Sequence, residues 1–485
     1  MAGKWEAAFR KLQNGNDVRG AAIATETESV TLTRGMAAYI AEAFADWLSE
    51  RTGKKKEDLR IGIGHDSRVT ADLFSAAAAQ GFAGTQTKLC GLISTPAMFQ
   101  STILEESRFD GAVMLTASHL PFNRNGMKFF TRDGGLEKRE MADVLNRAAA
   151  LAQTAPADEN GLPEAPEERT AAAETFDLLS LYCDSLKEYI RREVGAEDYE
   201  HPLAGIHVVV DAGNGAAGFF ASRVLEALGA DVSGSVFLDP DGRFPNHVPN
   251  PENAAAMDAV QKATLAAGAD LGVIFDCDGD RAAVVFADGR EVNRNALIAL
   301  LAAIVSEKAP GSTIVTDSIT SDELAVDSVT SDGLKTFIEE KLGGRHRRFK
   351  RGYKNVINKG IELNAAGTDC ELAIETSGHG AFKDNRFSDD GAYICVRILI
   401  KMAQLKQTGG HIESLIAELG EPAEAREIRF RILKEDFSAY GDQVLETTPE
   451  LLPVLALFLR EGATFSILSG PEQTAFAACG AAEKT

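Results

Sequence analysis

The sequence predicts an α/β protein, because short apolar runs alternate along the chain with stretches of helical periodicity. Four of these runs are bounded by turn residues, as buried strands usually are: residues 59–64, 111–115, 206–210 and 271–275. The chain has 485 residues, with hydrophobic and charged fractions of 45% and 25% that are typical of soluble globular proteins. At roughly 100–200 residues per domain, this length predicts three or four domains.

The four predicted strands lead, in order, into a helix at 71–82, a loop and a helix at 137–152, a helical stretch at 219–228, and a charged loop after residue 275. This alternation indicates layers of helices around a largely parallel sheet. Ligands of such sheets bind at the carboxyl ends of the strands. We therefore expect the functional side chains in the polar segments that follow the strands.

Changes in composition predict three domain boundaries. A loop rich in Pro and Glu at 154–170 is followed by a periodic helix at 176–190, and the first boundary is predicted soon afterwards. An apolar stretch at 297–305 ends in Ser-Glu-Lys-Ala-Pro-Gly, and a Gly-Glu-Pro turn marks the third boundary. The predicted domains are 1–195, 196–305, 306–420 and 421–485.

The charge balance and the cysteines narrow the class of protein. The chain has 50 Lys and Arg against 72 Asp and Glu, a net charge of −22 that disfavours binding to nucleic acid or to an anionic membrane. No apolar run approaches the roughly 18–20 residues that span a bilayer, and the N-terminus does not read as a signal peptide. The six cysteines are spread without a CxxC pair, which indicates a reducing compartment. A cytoplasmic enzyme is expected.

The first candidate site is segment 116–128, TASHLPFNRNGMK, directly after a predicted strand. Ser118 can act as a nucleophile or phosphate carrier, and His119 and Lys128 can supply proton transfer and positive charge. The alternative is an ordinary turn in which Pro121 sets the bend, and in either case we expect the loop to be exposed. A Ser-His-Asp hydrolase is disfavoured, because adjacent residues rarely face each other and no G-x-S-x-G elbow is present.

The second candidate site is DCDGDR at 276–281, after the strand at 271–275. In an extended loop Asp276, Asp278 and Asp280 would project to one side, and hard carboxylate oxygens suit Mg²⁺. An EF-hand is excluded, because its sixth and twelfth positions would be Arg281 and Ala287. A solvated acidic turn remains an alternative. So does a phosphatase of the haloacid-dehalogenase type, in which Asp276 would be the nucleophile.

The third candidate site is ETSGH at 375–379, where Glu375, Ser377 and His379 alternate and, on an extended backbone, would point at one ligand such as a sugar. A simple glycine-containing loop is equally compatible with this pattern. Upstream, the basic stretch 345–354, which ends in Lys354, is expected to supply one or two phosphate contacts and otherwise to face solvent. Weaker cationic signals are Arg19 and the segment HDSR at 65–68.

Taken in this order, the segments resemble the α-D-phosphohexomutase family, which comprises phosphoglucomutases, phosphomannomutases and phosphoglucosamine mutases. TASHLPFNRNGMK is similar to its phosphoserine loop, DCDGDR to its metal loop DGDGDR, and ETSGH to its sugar-binding loop. The resemblance covers roughly residues 17–395, with supporting matches at DVRG, GHDSR, DAGNGAAG, FPNHVPNPE and GYKNV. It implies three similar α/β domains with mixed sheets, a small C-terminal α+β domain and a central cleft.

The resemblance also implies a reaction and a set of roles. Hexose 1-phosphate and hexose 6-phosphate, of glucose or mannose, would be interconverted through a phosphoserine and a hexose 1,6-bisphosphate, with Mg²⁺ as cofactor and glucose 1,6-bisphosphate as activator. The implied metal site is Ser118 with Asp276, Asp278 and Asp280. The implied catalytic residues are Ser118, His119, Lys128, Arg19 and Arg281, and the implied substrate-binding residues are Glu375, Ser377, His379 and Lys354. A sugar phosphate is the expected partner, and a monomer or homodimer the expected state.

Departures from the family pattern keep alternatives open. Cys277 replaces a glycine of the metal loop and Leu120 an asparagine of the serine loop, and both changes are expected to be tolerated. The segment 468–474 lacks the arginine of the family's distal-phosphate loop, so domain 421–485 is expected to be short or incomplete. Other possible functions are a phosphoglucosamine mutase, a Mg²⁺-dependent phosphatase using Asp276, and a sugar-phosphate binding protein without catalysis.

Overall fold

The computed structural model describes residues 4–166, 173–318 and 331–420, together with the backbone of three strands beyond residue 420. The chain divides into two compact units, Met1–Gly289 and Arg290–Thr485. Among the described residues, no helix is both long enough and apolar enough to cross a bilayer.

The first unit contains an eight-stranded mixed sheet that carries the serine segment at one strand end. Its strands are Gln13–Asn14 (β1), Asp17–Ala21 (β2), Arg60–His65 (β3), Gln86–Leu92 (β4), Gly111–Leu115 (β5), Arg124–Thr131 (β6), Gly134–Gly135 (β7) and Ala173–Thr175 (β8). The order is β1-β2-β6-β5-β3-β4-β8, with β7 paired to β6. Strand β3 runs parallel to β4 and β5, whereas β6 is antiparallel to both β5 and β2. The largely parallel sheet expected from the apolar runs is therefore mixed.

Helices on this sheet follow the local signals of the sequence. They are Glu6–Lys11 (α1), Arg34–Thr52 (α2), Ala71–Gly81 (α3), Thr95–Gln100 (α4), Lys138–Leu151 (α5) and Leu178–Val194 (α6). The hydroxyl of Thr33 caps α2 by accepting from the amide of Met36, and Gly53 ends the helix with φ 69°. A Cβ on Gly81 would overlap the carbonyl oxygen of Ala38, so α2 and α3 can pack this closely only with glycine at that position.

The second sheet of this unit positions the acidic segment. It contains Val208–Asp211 (β9), Leu271–Phe275 (β10) and Ala282–Phe286 (β11), with helix Ala254–Ala267 (α7) between β9 and β10 in the chain. Strand β10 is parallel to β9 and antiparallel to β11, and every residue of all three strands is buried. The helical stretch predicted at 219–228 is one wide helical turn, Phe220–Leu225, followed by a tighter one, Glu226–Leu228.

The second unit has its own mixed sheet beneath the segment 375–379. After the short strand Glu291–Val292 (β12), the sheet contains Thr313–Ser318 (β13), Arg345–Lys350 (β14), Cys370–Ile374 (β15) and Gly380–Phe382 (β16), in the order β14-β13-β15-β16. Strand β13 is parallel to β14 and β15, and β16 is antiparallel to β15. Its helices are Arg294–Lys308 (α8), Asp332–Thr336 (α9), Tyr353–Ala365 (α10) and Gly391–Gln407 (α11).

The last part of the chain contains an antiparallel sheet of three strands. Strands Glu424–Phe430 (β17), Ala463–Ser469 (β18) and Thr474–Gly480 (β19) pair in the order β17-β19-β18. The loop without the family's arginine includes residues 470–473, which lie outside the described residues. The predicted α/β fold with mixed sheets is confirmed, and the division into four domains at 195, 305 and 420 stays a prediction.

Candidate active site

The serine and acidic segments meet inside the first unit. Ser118 follows β5, the acidic turn joins β10 to β11, and the Ser118 hydroxyl donates to Oδ2 of Asp276 across 3.2 Å. Ser118 and Asp276 are 158 residues apart in the sequence, so only the tertiary fold brings the two segments together. The expectation of an exposed serine loop holds only for its tip, where Pro121 and Phe122 are exposed, because Ser118 itself is buried and only 3% exposed.

Ser118 has an unusual backbone that aims its side chain at the acidic turn. Its φ of 52° lies in the left-handed region, which costs a non-glycine residue roughly 1–2 kcal/mol. Its amide donates to the Thr116 hydroxyl at 2.8 Å, and its carbonyl accepts from the buried Arg68 guanidinium. These contacts hold the strained conformation, as is common at functional sites.

Asp276, Asp278 and Asp280 lie on a tight turn rather than on the extended backbone that the sequence suggested. Gly279 has a φ of 73°, and its amide donates to the carbonyl oxygen of Asp276 at 3.3 Å. The three carboxylates nevertheless converge, because one oxygen of each lies within 4.8 Å of the others, and all three residues are buried. The sequence therefore predicted the cluster correctly and its backbone geometry incorrectly.

Two cations pair with the carboxylates of this acidic turn. The Lys128 ammonium donates to Asp278 at 2.8 Å and to Asp280 at 2.6 Å. The Arg281 guanidinium donates from Nε to Asp276 at 3.0 Å, to Nδ1 of His119 at 2.7 Å, and weakly to the Ser118 hydroxyl at 3.4 Å. Four of the five residues that the sequence proposed as catalytic are therefore assembled around this turn.

The electrostatics of the turn are set by burial and by these cations. Burial, together with the charge of Asp280, raises the pKa of Asp276 well above its usual range. Burial also acts to raise the pKa of Asp278, but Lys128 and the Thr95 hydroxyl outweigh it and the pKa falls below its usual range. Burial works against the charge on Arg281, yet Asp276 and Asp280 raise the pKa of Arg281.

The three carboxylates fit a divalent cation. Oδ1 of Asp278 is buried and has no hydrogen-bond partner among the described residues, and leaving a buried carboxylate oxygen without one is costly. Converging carboxylate oxygens are the ligands that Mg²⁺ prefers. The acidic turn can therefore hold such an ion through the residues that the sequence assigned to a metal.

Two polar residues beside the turn were not predicted. The Thr95 hydroxyl donates to Oδ2 of Asp278 at 2.5 Å, and its amide to the Asp278 carbonyl at 2.8 Å. The Asn250 side chain accepts from Arg281 at 3.1 Å. Thr95 follows the end of β4. The expectation that functional side chains follow the strands could therefore have identified it. Asn250 lies in the loop 244–252, and the match of its sequence FPNHVPNPE to the family pattern could have identified it.

Arg19 lies on β2 and contacts Asp17, with 3.0 Å between the guanidinium and the carboxylate. Its charge also contributes to the lowered pKa of Asp278, which places Arg19 within electrostatic reach of the acidic turn. The weak cationic signal at Arg19 therefore lies close to the candidate site.

Segment 375–379 forms a second polar cluster, in the unit Arg290–Thr485. It is a hairpin turn between β15 and β16, closed by the Glu375 amide donating to the His379 carbonyl at 2.8 Å. The extended backbone expected here is therefore wrong. The Ser377 hydroxyl still donates to Glu375 at 3.1 Å, because the turn folds one side chain over the other.

Neighbouring strands and helices orient this turn. The Gly352 amide donates to Glu375 at 2.6 Å, and buried Asp317 accepts from both the amide and the hydroxyl of Thr376, at 2.9 and 2.8 Å. Nδ1 of His379 lies 2.6 Å from Asp389, and the ring stacks on Tyr353 with centroids 5.0 Å apart. Lys354 is half-buried in the first turn of α10.

Most of the basic stretch forms β14, an edge strand of its sheet. Arg345, Arg347 and Lys350 are exposed on it, whereas Arg348, Arg351 and Lys354 are half-buried, and the expected phosphate contacts of this stretch stay a prediction. Charged side chains on an edge strand discourage pairing with another chain, which gives them a structural role.

We predict that Glu375→Gln changes the pH dependence of stability. Burial, and secondarily the charge of Asp317, raises the pKa of Glu375 from 4.5 to about 7. Because the folded pKa exceeds the unfolded one, the bound proton stabilises the protein at low pH, and this stabilisation is lost as pH rises through about 7. Glutamine cannot lose a proton. The free energy of unfolding of the variant should therefore rise relative to wild type between about pH 5 and pH 8.

Denaturant titrations at both pH values measure this difference. Glu371→Gln, on the same strand, is the matched control and should show no comparable change. If the free energies of unfolding of Glu375→Gln and wild type differ by the same amount at both pH values, the raised pKa of Glu375 is contradicted.

Comparisons with known proteins agree with the fold and with the segments that form these clusters. Residues 10–154, 180–289 and 293–421 match the family profiles described as phosphoglucomutase/phosphomannomutase, alpha/beta/alpha domains I, II and III. A phosphomannomutase/phosphoglucomutase of Pseudomonas syringae pv. tomato is 31% identical over 369 residues, which cover 74% of this chain and 70% of the relative. A phosphoglucosamine mutase of Corynebacterium efficiens is 29% identical over 80% of this chain and 79% of the relative.

A solved structure shows the same architecture. The crystal structure of a phosphoglucomutase/phosphomannomutase family protein from Burkholderia thailandensis has a TM-score of 0.71 and 23% sequence identity, and the match covers 99% of this chain and 94% of that one. The three profiles together account for most of the chain, and they fall on the segments that hold the serine, metal and sugar-loop motifs. The chain therefore belongs to the phosphoglucomutase/phosphomannomutase family, whose members are the phosphohexomutases that its motifs predict.

Proposed function

We propose that this enzyme interconverts hexose 1-phosphate and hexose 6-phosphate, with glucose or mannose as the sugar, through a phosphoserine at Ser118 and a hexose 1,6-bisphosphate intermediate. The observation that carries the proposal is the position of the Ser118 hydroxyl, 3.2 Å from Asp276 and 3.4 Å from Arg281 at a buried acidic turn. Phosphoryl transfer depends mainly on positioning and on charge neutralisation, and this site supplies both.

Each residue around Ser118 has a part in this proposal. Ser118 gives its phosphoryl group to the free hydroxyl of the sugar phosphate, and the resulting bisphosphate returns its other phosphoryl group to Ser118. Arg281 and Lys128 neutralise the charge on the transferred group, and Arg19 adds a further positive charge. His119 accepts from Arg281 at Nδ1, which fixes its ring for proton transfer at the opposite nitrogen.

Mg²⁺ is the proposed cofactor, held by Asp276, Asp278 and Asp280 together with the Ser118 oxygen. When bound, it would supply Lewis-acid stabilisation of the negative charge that phosphoryl transfer develops. The buried carboxylate oxygens, and Oδ1 of Asp278 in particular, support this assignment.

The substrate is proposed to be a sugar phosphate that Glu375 and Ser377 bind through its hydroxyls, while His379 and Lys354 contact the sugar or its phosphate. The mutual hydrogen bond of Glu375 and Ser377 keeps an acceptor and a donor side by side, which suits a diol. Glucose 1,6-bisphosphate is the proposed activator, because it can phosphorylate Ser118 directly. A cytoplasmic location and a monomeric or homodimeric state are further proposals from the sequence.

A phosphoglucosamine mutase is the second candidate, since relatives of that name match as much of the chain as the phosphomannomutases do. A phosphatase using Asp276 is less well supported. The matching family profiles and relatives are named as mutases, and the Ser118 hydroxyl beside Asp276 provides an alternative phosphoryl carrier.

A coupled assay tests these functions side by side. Purified protein with Mg²⁺ and a trace of glucose 1,6-bisphosphate is given the 1-phosphates of glucose, mannose and glucosamine in separate reactions. Formation of the corresponding 6-phosphate of glucose or mannose supports the proposal, and faster turnover of the glucosamine substrate favours the second candidate. Peptide mass analysis then locates the phosphoryl group, and its presence on Asp276 instead of Ser118 would overturn the assignment.

A further inference from the structure

A buried arginine holds the backbone of the serine loop. The Arg68 side chain has no solvent exposure, and its guanidinium donates to four carbonyl oxygens of the segment 118–124. These are the carbonyls of Pro121 and Arg124 at 2.8 Å each, Leu120 at 2.7 Å, and Ser118. Burying a guanidinium is costly unless its donors are satisfied, so Arg68 strongly favours one conformation of this loop.

The partner of Arg68 is Asp66, a fully buried carboxylate at the end of β3. Its Oδ1 accepts from the Arg68 amide at 3.0 Å, and its Oδ2 accepts from the Arg68 side chain at 3.2 Å. The same Oδ2 accepts from the Thr116 hydroxyl at 2.6 Å and from the Cys277 thiol at 3.2 Å. One oxygen atom therefore receives donors from both the serine loop and the acidic turn.

These contacts form a continuous chain of hydrogen bonds. The Ser118 amide donates to Thr116, Thr116 donates to Asp66, and Cys277 donates to the same atom of Asp66. Cys277 lies between two of the three carboxylates of the acidic turn, and its carbonyl is fixed by the Ala216 amide at 2.8 Å. A glycine at 277, as in the family pattern, has no side chain with which to make this link.

We propose that Asp66, Arg68 and Cys277 are positioning residues for phosphoryl transfer, and that the Cys277 thiol sets the register of the acidic turn against Ser118. This inference rests on the proposed function, in which Ser118 carries the phosphoryl group. None of the three residues touches the reacting atoms. They act by holding the donor oxygen and the carboxylates at a fixed separation, to which in-line transfer is sensitive.

The test compares Cys277→Ala with Cys277→Ser, which keeps a donor at this position. At saturating Mg²⁺ and sugar phosphate, Cys277→Ala should lower kcat about tenfold with KM unchanged, because the register is lost while the binding residues are intact. Cys277→Ser should restore most of kcat. Thr116→Val combined with Cys277→Ala should lose less than the product of the two single effects, since both donors act through Asp66.

Cys183→Ala is the matched control. It removes another buried thiol, on α6, and should leave kcat unchanged even where its melting temperature falls like that of Cys277→Ala. A normal kcat in Cys277→Ala, or equal losses in Cys277→Ala and Cys277→Ser, would overturn the positioning role.

A second readout separates this inference from the proposed function. The rate at which glucose 1,6-bisphosphate phosphorylates Ser118, followed by intact mass, should also fall about tenfold in Cys277→Ala. If wild type is phosphorylated but does not isomerise sugars, the proposed function is wrong and this rate still decides the role of Cys277. If wild-type Ser118 takes no phosphate, both proposals fail.

Discussion

Ser118→Ala should abolish mutase turnover while the protein remains folded. The variant lacks the only oxygen that can carry the phosphoryl group in the proposed mechanism, so kcat should fall by roughly four orders of magnitude or more. Alanine at a φ of 52° carries the same left-handed penalty as the serine that it replaces, so the free energy of unfolding should change little. The coupled assay measures the first effect and thermal unfolding the second.

Ser118→Gly separates chemistry from backbone strain. Glycine accepts the left-handed conformation without penalty, so this variant should be as inactive as Ser118→Ala but more stable. Ser185→Ala, on the exposed face of α6, is the control and should leave turnover unchanged. Full activity in either Ser118 variant would show that another residue carries the phosphoryl group.

Asp278→Asn should have the second largest effect, through the metal requirement. The change removes one of three converging carboxylates, which is also one of the two carboxylates that pair with Lys128. A neutral amide binds Mg²⁺ more weakly, so the Mg²⁺ concentration that gives half-maximal rate should rise at least about tenfold. Titration of activity with Mg²⁺ measures this shift.

The control for this prediction is Asp258→Asn, on the surface of α7. Among the described contacts, the Asp258 carboxylate pairs only with Lys262, at 2.6 Å. Its Mg²⁺ titration should match wild type. The ligand role of Asp278 is refuted if Asp278→Asn shows the same half-maximal Mg²⁺ concentration as the control.

The strands that the sequence revealed are the ones with continuous apolar runs. Strand β10 reads LGVIF and β5 reads GAVML, and such runs are recognisable because both faces of the strand are covered. Strand β6 reads RNGMKFFT, with polar residues that serve the candidate site, and it was not predicted. The parallel sheet expected from the visible strands is therefore mixed in the structure.

The candidate site, like the fold, was predicted from the sequence only in part. The spacing of residue types in one short motif predicted the carboxylate cluster, whereas the place of Ser118 beside it was implied by the resemblance to the family. The role of Asp66 and Arg68 could not be predicted, because the serine loop that they contact lies about 50 positions away in the chain. Arg68 and Ser118, for example, are 50 residues apart. The sequence analysis also assumed an extended backbone with alternating side chains at 276–280 and 375–379. This assumption was wrong, because both segments contain a glycine and form a turn.

The two compact units have different parts in the proposed reaction. Every residue assigned to moving the phosphoryl group precedes residue 290, and every residue assigned to the sugar follows it. Mutations that retune which hexose is accepted can therefore accumulate in one half of the gene while the other half is held constant by selection. Such an arrangement gives duplicated copies of one ancestor a simple route to new sugar preferences with inherited chemistry.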